Sequence, residues 1–367
     1  MGAQTLLLAA VAGRTSRMNA SSTVLDHSLP QVLADAQRLA AAGEVDTTGL
    51  DDGPLLFDVG DMAVLRVTGR DRQRFLHAML SNDVAQLEPG QGRWATFNTV
   101  KGRTLCDVRL LLVDDDRKEG SLLALLEPGA DQIFVDQLNP FIIAEKVYFE
   151  PAPEGHGWLL AGAGADGVLQ QAGASCPSST LFDHVETELG GCKVRVVRFD
   201  RTGSTSGDLL LLMSPEDQEA ILQALGSIQR GDRNCLEAAR VENGQPRFGI
   251  DLTEGNIPLE AGLKDRAIDF NKGCYIGQEV ICRIDSMGTP ARRLVRLRVH
   301  DSGVPAPGTR LFREQKEVGY VTSSVHSLRA GGPIALGYVK KKNNEPATTV
   351  LVGDPESQRE ATIEAHA

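Results

Sequence analysis

Aromatic residues are scarce in this chain, and their scarcity limits how its core is built. Only 5% of the 367 residues are Phe, Trp or Tyr, and the two tryptophans are Trp94 and Trp158. Hydrophobic residues still make up 41% of the chain and charged residues 24%, which is ordinary for a globular protein. We therefore expect a core of Leu, Val, Ile and Ala, and the length predicts two or three compact units.

Basic residues are too few to give the chain a positive surface. The 38 Lys and Arg are outnumbered by 49 Asp and Glu, so the formal net charge is −11. This balance argues against broad nucleic-acid binding, which depends on basic side chains that neutralise phosphates. An anionic ligand would need a local basic pocket, because the overall field opposes it.

The cysteines lack the spacing of a metal site. No two form a C-x-x-C pair and no histidine cluster accompanies them, so we expect neither a zinc site nor a ligated iron–sulfur cluster. The pattern indicates reduced thiols in a cytosol-like compartment. The six cysteines are Cys106, Cys176, Cys192, Cys235, Cys274 and Cys282.

No hydrophobic run is long enough to span a bilayer, so no membrane attachment is expected. The longest apolar run near the start, Thr5–Gly13, is too short, and no basic residue precedes it, which argues against a secretory signal. The first acidic residue is Asp26, a weak transit-peptide pattern that a start codon misplaced upstream of Met18 would explain equally well. We predict a disordered or processed tail at residues 1–29 of a cytoplasmic protein, with an organelle matrix as the alternative.

The spacing of apolar residues divides the chain into an α+β part and a β part. Helices predicted to begin near Pro30 and Asp71 alternate with strands such as Thr104–Val113. From Leu294 onward, short β-like runs separated by Gly and Pro predict an antiparallel barrel. The predicted units are an α+β region at 30–285, a barrel at 290–355 and a tail at 356–367.

The segment Phe270–Glu279 has the most distinctive chemistry. It combines a thiol, an ammonium, a phenol, an amide and a carboxylate with two glycines, which let the backbone turn and another molecule approach closely. Lys272, two positions from Cys274, would favour the thiolate. The residues predict a reactive or ligand-contacting loop, and they leave open a tight turn with a partly buried cysteine.

Residues 272–279 read K-G-C-Y-I-G-Q-E, which resembles the K-G-C-Y-x-G-Q-E signature of the YgfZ-type folate-binding proteins. These relatives of the glycine-cleavage T-protein support iron–sulfur cluster assembly or repair. The family's R-x-E-x-G-x-P element is matched from Arg240 to Pro246, and the resemblance runs from about Leu55 to about Val352. It implies an α+β, T-protein-like fold in which two interleaved lobes surround a central channel and a C-terminal antiparallel β-barrel packs alongside.

The resemblance also implies a set of site residues. Cys274 would be the functional thiol, and Lys272 would offer a charge to a carboxylate or cluster; the alternative is a solvent-exposed lysine. Tetrahydrofolate, or a one-carbon derivative, would be the cofactor. Its expected contacts are Asp107, Asp208, Arg240, Lys101, Tyr275, Gln278 and Glu279.

Two segments depart from the T-protein pattern. The paired aspartates of that family's G-G-x-x-D-D segment correspond here to Cys106 and Asp107, and a gapless alignment places the catalytic aspartate on Cys106. The loop that ends at Asp208 resembles R-T-G-Y-T-G-E-D, but the glutamate that reads the pterin falls on Gly207. Asp208 would have to substitute for it. These departures weaken the expectation of aminomethyl transfer, which needs a carboxylate near the reacting nitrogen.

We therefore predict a tetrahydrofolate-binding accessory protein that supports assembly or repair of iron–sulfur clusters. Its partners would be folate and iron–sulfur proteins or cluster-assembly factors. The alternative is a folate-dependent one-carbon (aminomethyl) transferase or demethylase, and the residues leave open whether any substrate is turned over. T-proteins carry K-x-D-F-I-G-R-E where this chain has Cys274 and Gln278, which favours the accessory protein.

Overall fold

The computed structural model describes residues 30–114, 120–203, 207–353 and 358–367. The predicted tail at residues 1–29 lies outside the described residues, as do residues 204–206 of the loop before Asp208. No helix in the described ranges is long and apolar enough to cross a membrane. The helices are α1 Pro30–Ala40, α2 Gly49–Asp52, α3 Arg72–Met79, α4 Ala130–Leu138, α5 Ala165–Gln171, α6 Gln218–Ala224, α7 Arg233–Glu242, α8 Lys264–Ala267 and α9 Gln278–Ser286.

The strands form two five-stranded sheets and a barrel. They are β1 Glu44–Val45, β2 Leu55–Asp58, β3 Ala63–Thr68, β4 Gly92–Asn98, β5 Thr104–Val113, β6 Ser121–Leu126, β7 Tyr148–Pro151, β8 His156–Ala161, β9 His184–Leu189, β10 Cys192–Phe199, β11 Asp208–Met213, β12 Arg292–Val299, β13 Arg310–Arg313, β14 Lys316–Ser327, β15 Gly332–Lys340, β16 Thr349–Val352 and β17 Arg359–His366.

The two five-stranded sheets are interleaved along the chain. One has the strand order β4-β5-β6-β3-β7 and the other β2-β8-β11-β10-β9, so β2 belongs to the second sheet although it precedes all strands of the first. Strands β5 and β6 are buried along almost their whole length, which explains why their apolar pattern does not alternate cleanly. The predicted α+β fold with two interleaved lobes is confirmed.

The C-terminal part is a closed barrel, as predicted. Its six strands follow the order β14-β13-β16-β17-β12-β15, and pairing of β14 with β15 closes the ring. All of these pairs are antiparallel. The prediction of a tail at 356–367 is wrong for the described residues there, because Arg359–His366 is the barrel strand β17. Ala361 and Ile363 face the barrel core from this mostly polar segment.

A buried arginine joins the barrel to the α+β body. Arg240 of α7 is fully buried, and its Nε donates to Glu237 at 2.9 Å. Its Nη1 donates to Asp251 at 2.6 Å and its Nη2 to Ser323 of β14 at 3.0 Å. Asp251 also accepts hydrogen bonds from Ser323 and Thr322. The guanidinium of Arg240 is thus occupied at this junction, and its expected contact with the cofactor stays a prediction that these hydrogen bonds do not favour.

Replacing Arg240 should destabilise the protein far more than replacing a surface arginine. Arg240→Met leaves the Asp251 carboxylate buried without its charged partner and removes one of the three arginines around Glu237, so we expect the free energy of unfolding to fall by about 3–5 kcal/mol. Urea unfolding measures the change. Arg310, whose partner Glu317 is exposed, supplies the control: Arg310→Met should cost about 0–1 kcal/mol. Equal losses in the two variants would contradict this role of Arg240.

Candidate functional site

A cavity lies between the two five-stranded sheets, and we call it the between-sheet cavity. Its enclosed part measures about 40 Å³, enough for a few water molecules. It adjoins an open space of about 500 Å³, the mouth, and the two share Asp58, Asp61, Arg233 and Leu236 in their walls. Most of its lining is apolar, but one part is charged: we call Glu127, Arg201, Glu237 and Arg247 the inner wall, and Arg109 also lines the cavity.

The charges of the inner wall are paired with one another. Glu127 accepts hydrogen bonds from Arg201 and from Arg247 Nε, the latter at 2.8 Å. Glu237 lies 3.1 Å from both Arg201 Nη2 and Arg247 Nη1. Burial alone would raise the pKa of Glu127, but Arg201 and Arg247 outweigh it and lower this pKa to about 2. These carboxylates therefore stay ionised and hold the arginines in place.

Asp107 of β5 is a buried carboxylate of a different kind. Its Oδ2 accepts a hydrogen bond from Trp94 Nε1 at 2.9 Å and lies 3.0 Å from Arg109 Nη1. Its Oδ1 is buried and has no hydrogen-bond partner among the described residues. Burial raises the pKa of Asp107, and the Arg109 charge opposes that rise only in part. One oxygen of Asp107 is thus left to accept a donor from a ligand.

The ring of Trp94 lies beside Asp107 and contacts two guanidinium groups. The Arg109 guanidinium carbon is 4.4 Å from the ring centre, and that of Arg266 is 4.8 Å from it. Arg266 is also held by Asp200 and by Gln245 Oε1. Arg109 lines the between-sheet cavity and contacts Asp107 directly, so Asp107 is next to a wall residue of the cavity without lining it.

Cys106 points away from this site. Successive side chains of a strand alternate between its faces, and Cys106 Sγ lies 4.0 Å from the carbonyl oxygen of Ala130 at the start of α4. Burial raises the pKa of the Cys106 thiol well above its usual value. A carboxylate at position 106 would face the core, so the departure at Cys106 leaves the cavity side of β5 unchanged.

Asp208 holds the ends of its own loop together. Its Oδ2 accepts hydrogen bonds from the backbone N–H groups of Arg201 and Thr202, at 2.8 and 2.7 Å. Its Oδ1 accepts one from the Thr202 hydroxyl at 2.7 Å. Both oxygens are therefore engaged by the protein, and the expected contact of Asp208 with the cofactor stays a prediction that this geometry does not favour.

Lys272 is buried, so the alternative of a solvent-exposed lysine does not hold, and its ammonium group is bound by backbone carbonyls. Its Nζ donates to three backbone carbonyls around the end of α3, those of His77, of Leu80 at 2.6 Å and of Asn82 at 3.1 Å. Burial lowers the pKa of Lys272 to about 8, although Asp83 and Asp269 oppose the shift. Lys272 therefore fastens the Cys274 loop to the end of α3.

The other residues of the loop take separate positions. Cys274 is exposed, whereas Tyr275 is buried in an apolar cluster with Ile281, and its hydroxyl has no partner among the described residues. Gln278 is half-buried where α9 begins. Glu279 is exposed and accepts a hydrogen bond from Arg283 at 2.8 Å, so it does not hold the loop backbone.

Lys101 does not reach the between-sheet cavity. It is exposed in the turn between β4 and β5, and it lines a separate surface groove together with Ile276. Its expected contact with a cofactor in the cavity is therefore not supported. Within the described ranges, no three His, Cys, Asp or Glu side chains converge as a metal site requires.

Sequence reasoning missed Trp94, Arg109 and Arg266. For Arg109 a signal existed, because it follows Asp107 by two positions on a predicted strand and therefore shares its face. Trp94 pairs with Arg109 across β4 and β5, and the strand register needed to see this is not visible in the sequence. Arg266 comes from α8, and its approach to Trp94 depends on the tertiary fold alone.

Two family models match this chain. The GCVT N-terminal domain matches residues 27–272, and the glycine cleavage T-protein C-terminal barrel domain matches residues 292–366. A putative chloroplastic transferase from Arabidopsis thaliana is 28% identical over 312 residues, which are 83% of this chain and 69% of the relative. An aminomethyltransferase from Lysinibacillus sphaericus is 30% identical over 281 residues, 73% of each chain.

A solved structure has the same fold. The glycine cleavage system aminomethyltransferase T from Bartonella henselae is 22% identical to this chain, and the superposition covers 87% of each chain with a TM-score of 0.75. The agreement extends over both the interleaved sheets and the barrel, so the arrangement described above is a T-protein fold.

Cys274 should be the first of the six cysteines to react with a limiting amount of iodoacetamide. It is the only cysteine among the described residues that is classed as exposed, whereas Cys106 and Cys235 are buried, and burial raises the pKa of Cys235 to about 11. Peptide mapping after partial labelling gives the order. The urea-unfolded chain, in which all six should react alike, is the control. Earlier labelling of Cys282 would contradict the placement of the loop.

Proposed function

Because this chain belongs to the glycine cleavage T-protein family, we propose that it binds a reduced folate, with Asp107 as the central contact. The supporting observation is the unpartnered, buried Oδ1 of Asp107. A buried acceptor without a donor is unfavourable by about 1–3 kcal/mol. A carboxylate oxygen is suited to the N–H groups of a pterin ring.

The residues around Asp107 would fix the ligand in place. Trp94 and Arg109 both contact Oδ2 of Asp107, so they hold the carboxylate in one orientation and leave Oδ1 for the ligand. When bound, a reduced folate would supply or accept a one-carbon unit. The residues of this chain exclude water and present the carboxylate.

The finer proposal is that the protein is an accessory factor for iron–sulfur cluster assembly or repair. It is supported by the exposed Cys274 thiol on a loop that Lys272 fastens to α3. The match of residues 272–279 to the YgfZ-type signature supports it as well. The partners would be iron–sulfur proteins or cluster-assembly factors, met in the cytoplasm or an organelle matrix.

A second candidate function is one-carbon transfer itself, as an aminomethyltransferase or a demethylase. It is favoured by the position of Asp107, which keeps a carboxylate on the cavity side of β5 although Cys106 replaces its neighbour. Relatives at 24–30% identity are named aminomethyltransferases. Substrate-dependent formation of methylene-tetrahydrofolate by the purified protein would select this function over the accessory role.

Tetrahydrofolate binding should depend on Asp107. Asp107→Asn keeps an acceptor for Trp94 Nε1 but removes the charge, and we expect affinity to fall about 10- to 100-fold, equivalent to about 1.5–3 kcal/mol. Calorimetry measures the affinity, and quenching of Trp94 fluorescence reports occupancy nearby. Protonation of Asp107 removes the charged acceptor. The affinity of the wild type for tetrahydrofolate should therefore fall as the pH is lowered toward the raised pKa of Asp107.

Two observations make this test specific to the site. Asp107→Asn also leaves the buried Arg109 guanidinium without its carboxylate partner, so urea unfolding of the variant is measured alongside binding to separate a loss of fold from a loss of the ligand contact. Asp52→Asn, at an exposed position in α2, is the matched control and should bind normally. Absence of heat and of thermal stabilisation for the wild type at millimolar tetrahydrofolate would remove folate from the proposal.

The accessory role should depend on the Cys274 thiol in cells. A deletion strain carrying Cys274→Ala should show low activity of its iron–sulfur enzymes, whereas Cys282→Ala, a matched half-buried control, should restore them. Cys274→Ala should fold normally, since the exposed side chain adds little to the core. Full restoration by Cys274→Ala would show that the loop serves only the structure.

A further inference from the structure

A surface groove of about 410 Å³ lies beside the turn between β4 and β5, and it shares no wall residue with the between-sheet cavity. We call it the hairpin groove. We propose that it is a second binding site, which takes an uncharged molecule with an apolar body and an amide group. Its volume falls in the range typical of small-molecule sites.

The apolar wall of the hairpin groove comes from three separate elements. Phe97 of β4 and Phe141, beyond α4, pack edge to face with their ring centres 6.2 Å apart. Leu105 lines the groove because of a bulge: Phe97 pairs with Cys106 and Asn98 with Thr104, so Leu105 is an extra residue in β5. Ile276, from the Cys274 loop, completes this wall.

The polar wall contains an unpaired acceptor. Asn98 is fully buried, its Nδ2 donates to Thr96 Oγ1 at 3.0 Å, and its Oδ1 has no partner among the described residues. Next to it, Thr104 Oγ1 and Asn256 Nδ2 are also buried and without a partner, and Thr104 N–H donates to the Asn256 carbonyl at 3.0 Å. Of these three residues only Asn98 lines the groove, and its Oδ1 is an acceptor for the N–H of an amide.

The charges around the hairpin groove favour a ligand without net charge. Lys101 and Arg103 contribute two cations to its walls, and Asp136 and Glu254 contribute two carboxylates. Arg103 also donates to the carbonyl of Gly255 at 2.6 Å. A strongly anionic or cationic molecule would meet two like charges here, whereas a neutral amide meets none of that repulsion.

The hairpin groove is bordered by the Cys274 loop at Ile276 and by strand β5 at Leu105. The loop packs tightly on the turn, because a Cβ at Gly277 would stand 2.5 Å from the carbonyl oxygen of Thr99. Ile276 follows Cys274 by two residues, and Leu105 precedes Asp107 by two, a separation of about 7 Å along a strand. A molecule in the groove would be near both groups, and only this last step depends on the proposed function.

The test is a titration of the full chain with N-acetyl-leucine N-methylamide, followed by nuclear magnetic resonance. We expect shifts of the backbone amides of residues 99–103 and 276–277, with a dissociation constant on the order of 1 mM. The corresponding methyl ester lacks one N–H donor and should bind at least about fivefold more weakly. No shifts at these amides, or equal affinity for both probes, would overturn the proposal.

Variants identify the group that recognises the amide. Asn98→Leu should remove the preference for amide over ester, whereas Gln137→Leu, which changes another polar wall residue of the same groove, should retain it. An unchanged preference in Asn98→Leu would overturn the assignment of Asn98. If Asn98→Leu does not fold, the comparison of the amide and ester probes on the wild type still shows whether the groove binds an amide. Tetrahydrofolate binding to the wild type is measured separately, so failure of either site is recognised on its own.

Discussion

Helix α7 and its buried charges hold the three parts of the molecule in one arrangement. Residues 235–242 of this helix are buried throughout, so each charged side chain requires a partner at a defined position. Glu237 pairs with arginines of the between-sheet cavity, and Arg240 reaches Asp251 and Ser323 of the barrel junction. Glu242 accepts hydrogen bonds from Thr47 and Ser327. The sheets, the cavity and the barrel are thereby tied to one helix.

This arrangement explains why much of the charge near the cavity is unavailable to ligands. The charges of Arg201 and Arg247 are neutralised by Glu127 and Glu237. Removal of the two arginines would leave these carboxylates buried without partners. Arg201 and Arg247 therefore form part of the cavity wall and have no unpaired charge to offer a ligand. Arg109 differs, because its carboxylate partner Asp107 has a raised pKa and one unpaired oxygen. Asp107 and Arg109 are thus a pair in which one carboxylate oxygen has no hydrogen-bond partner among the described residues.

The parts of the fold that depend on local pattern could be predicted from the sequence. Strand Thr104–Val113 and the barrel runs after Leu294 follow from apolar spacing and turn residues. The roles of Lys272, Arg240 and Asp208 could not be predicted, because each depends on the groups that its side chain contacts in the folded chain. Lys272 binds carbonyls near residue 80, and Arg240 binds the barrel. Family motifs mark these positions as important, and here that importance is structural.

Asp107 and Glu127 are two buried carboxylates whose surroundings shift their pKa values in opposite directions. Both are completely or almost completely buried, so burial raises the pKa of each. Glu127 receives two arginines and its pKa falls to about 2, whereas Asp107 receives one arginine and an indole N–H on the same oxygen, and its pKa stays raised. A protein gains nothing in stability by leaving such an oxygen unpaired. Environments that separate the pKa values of two carboxylates in this way are characteristic of functional sites.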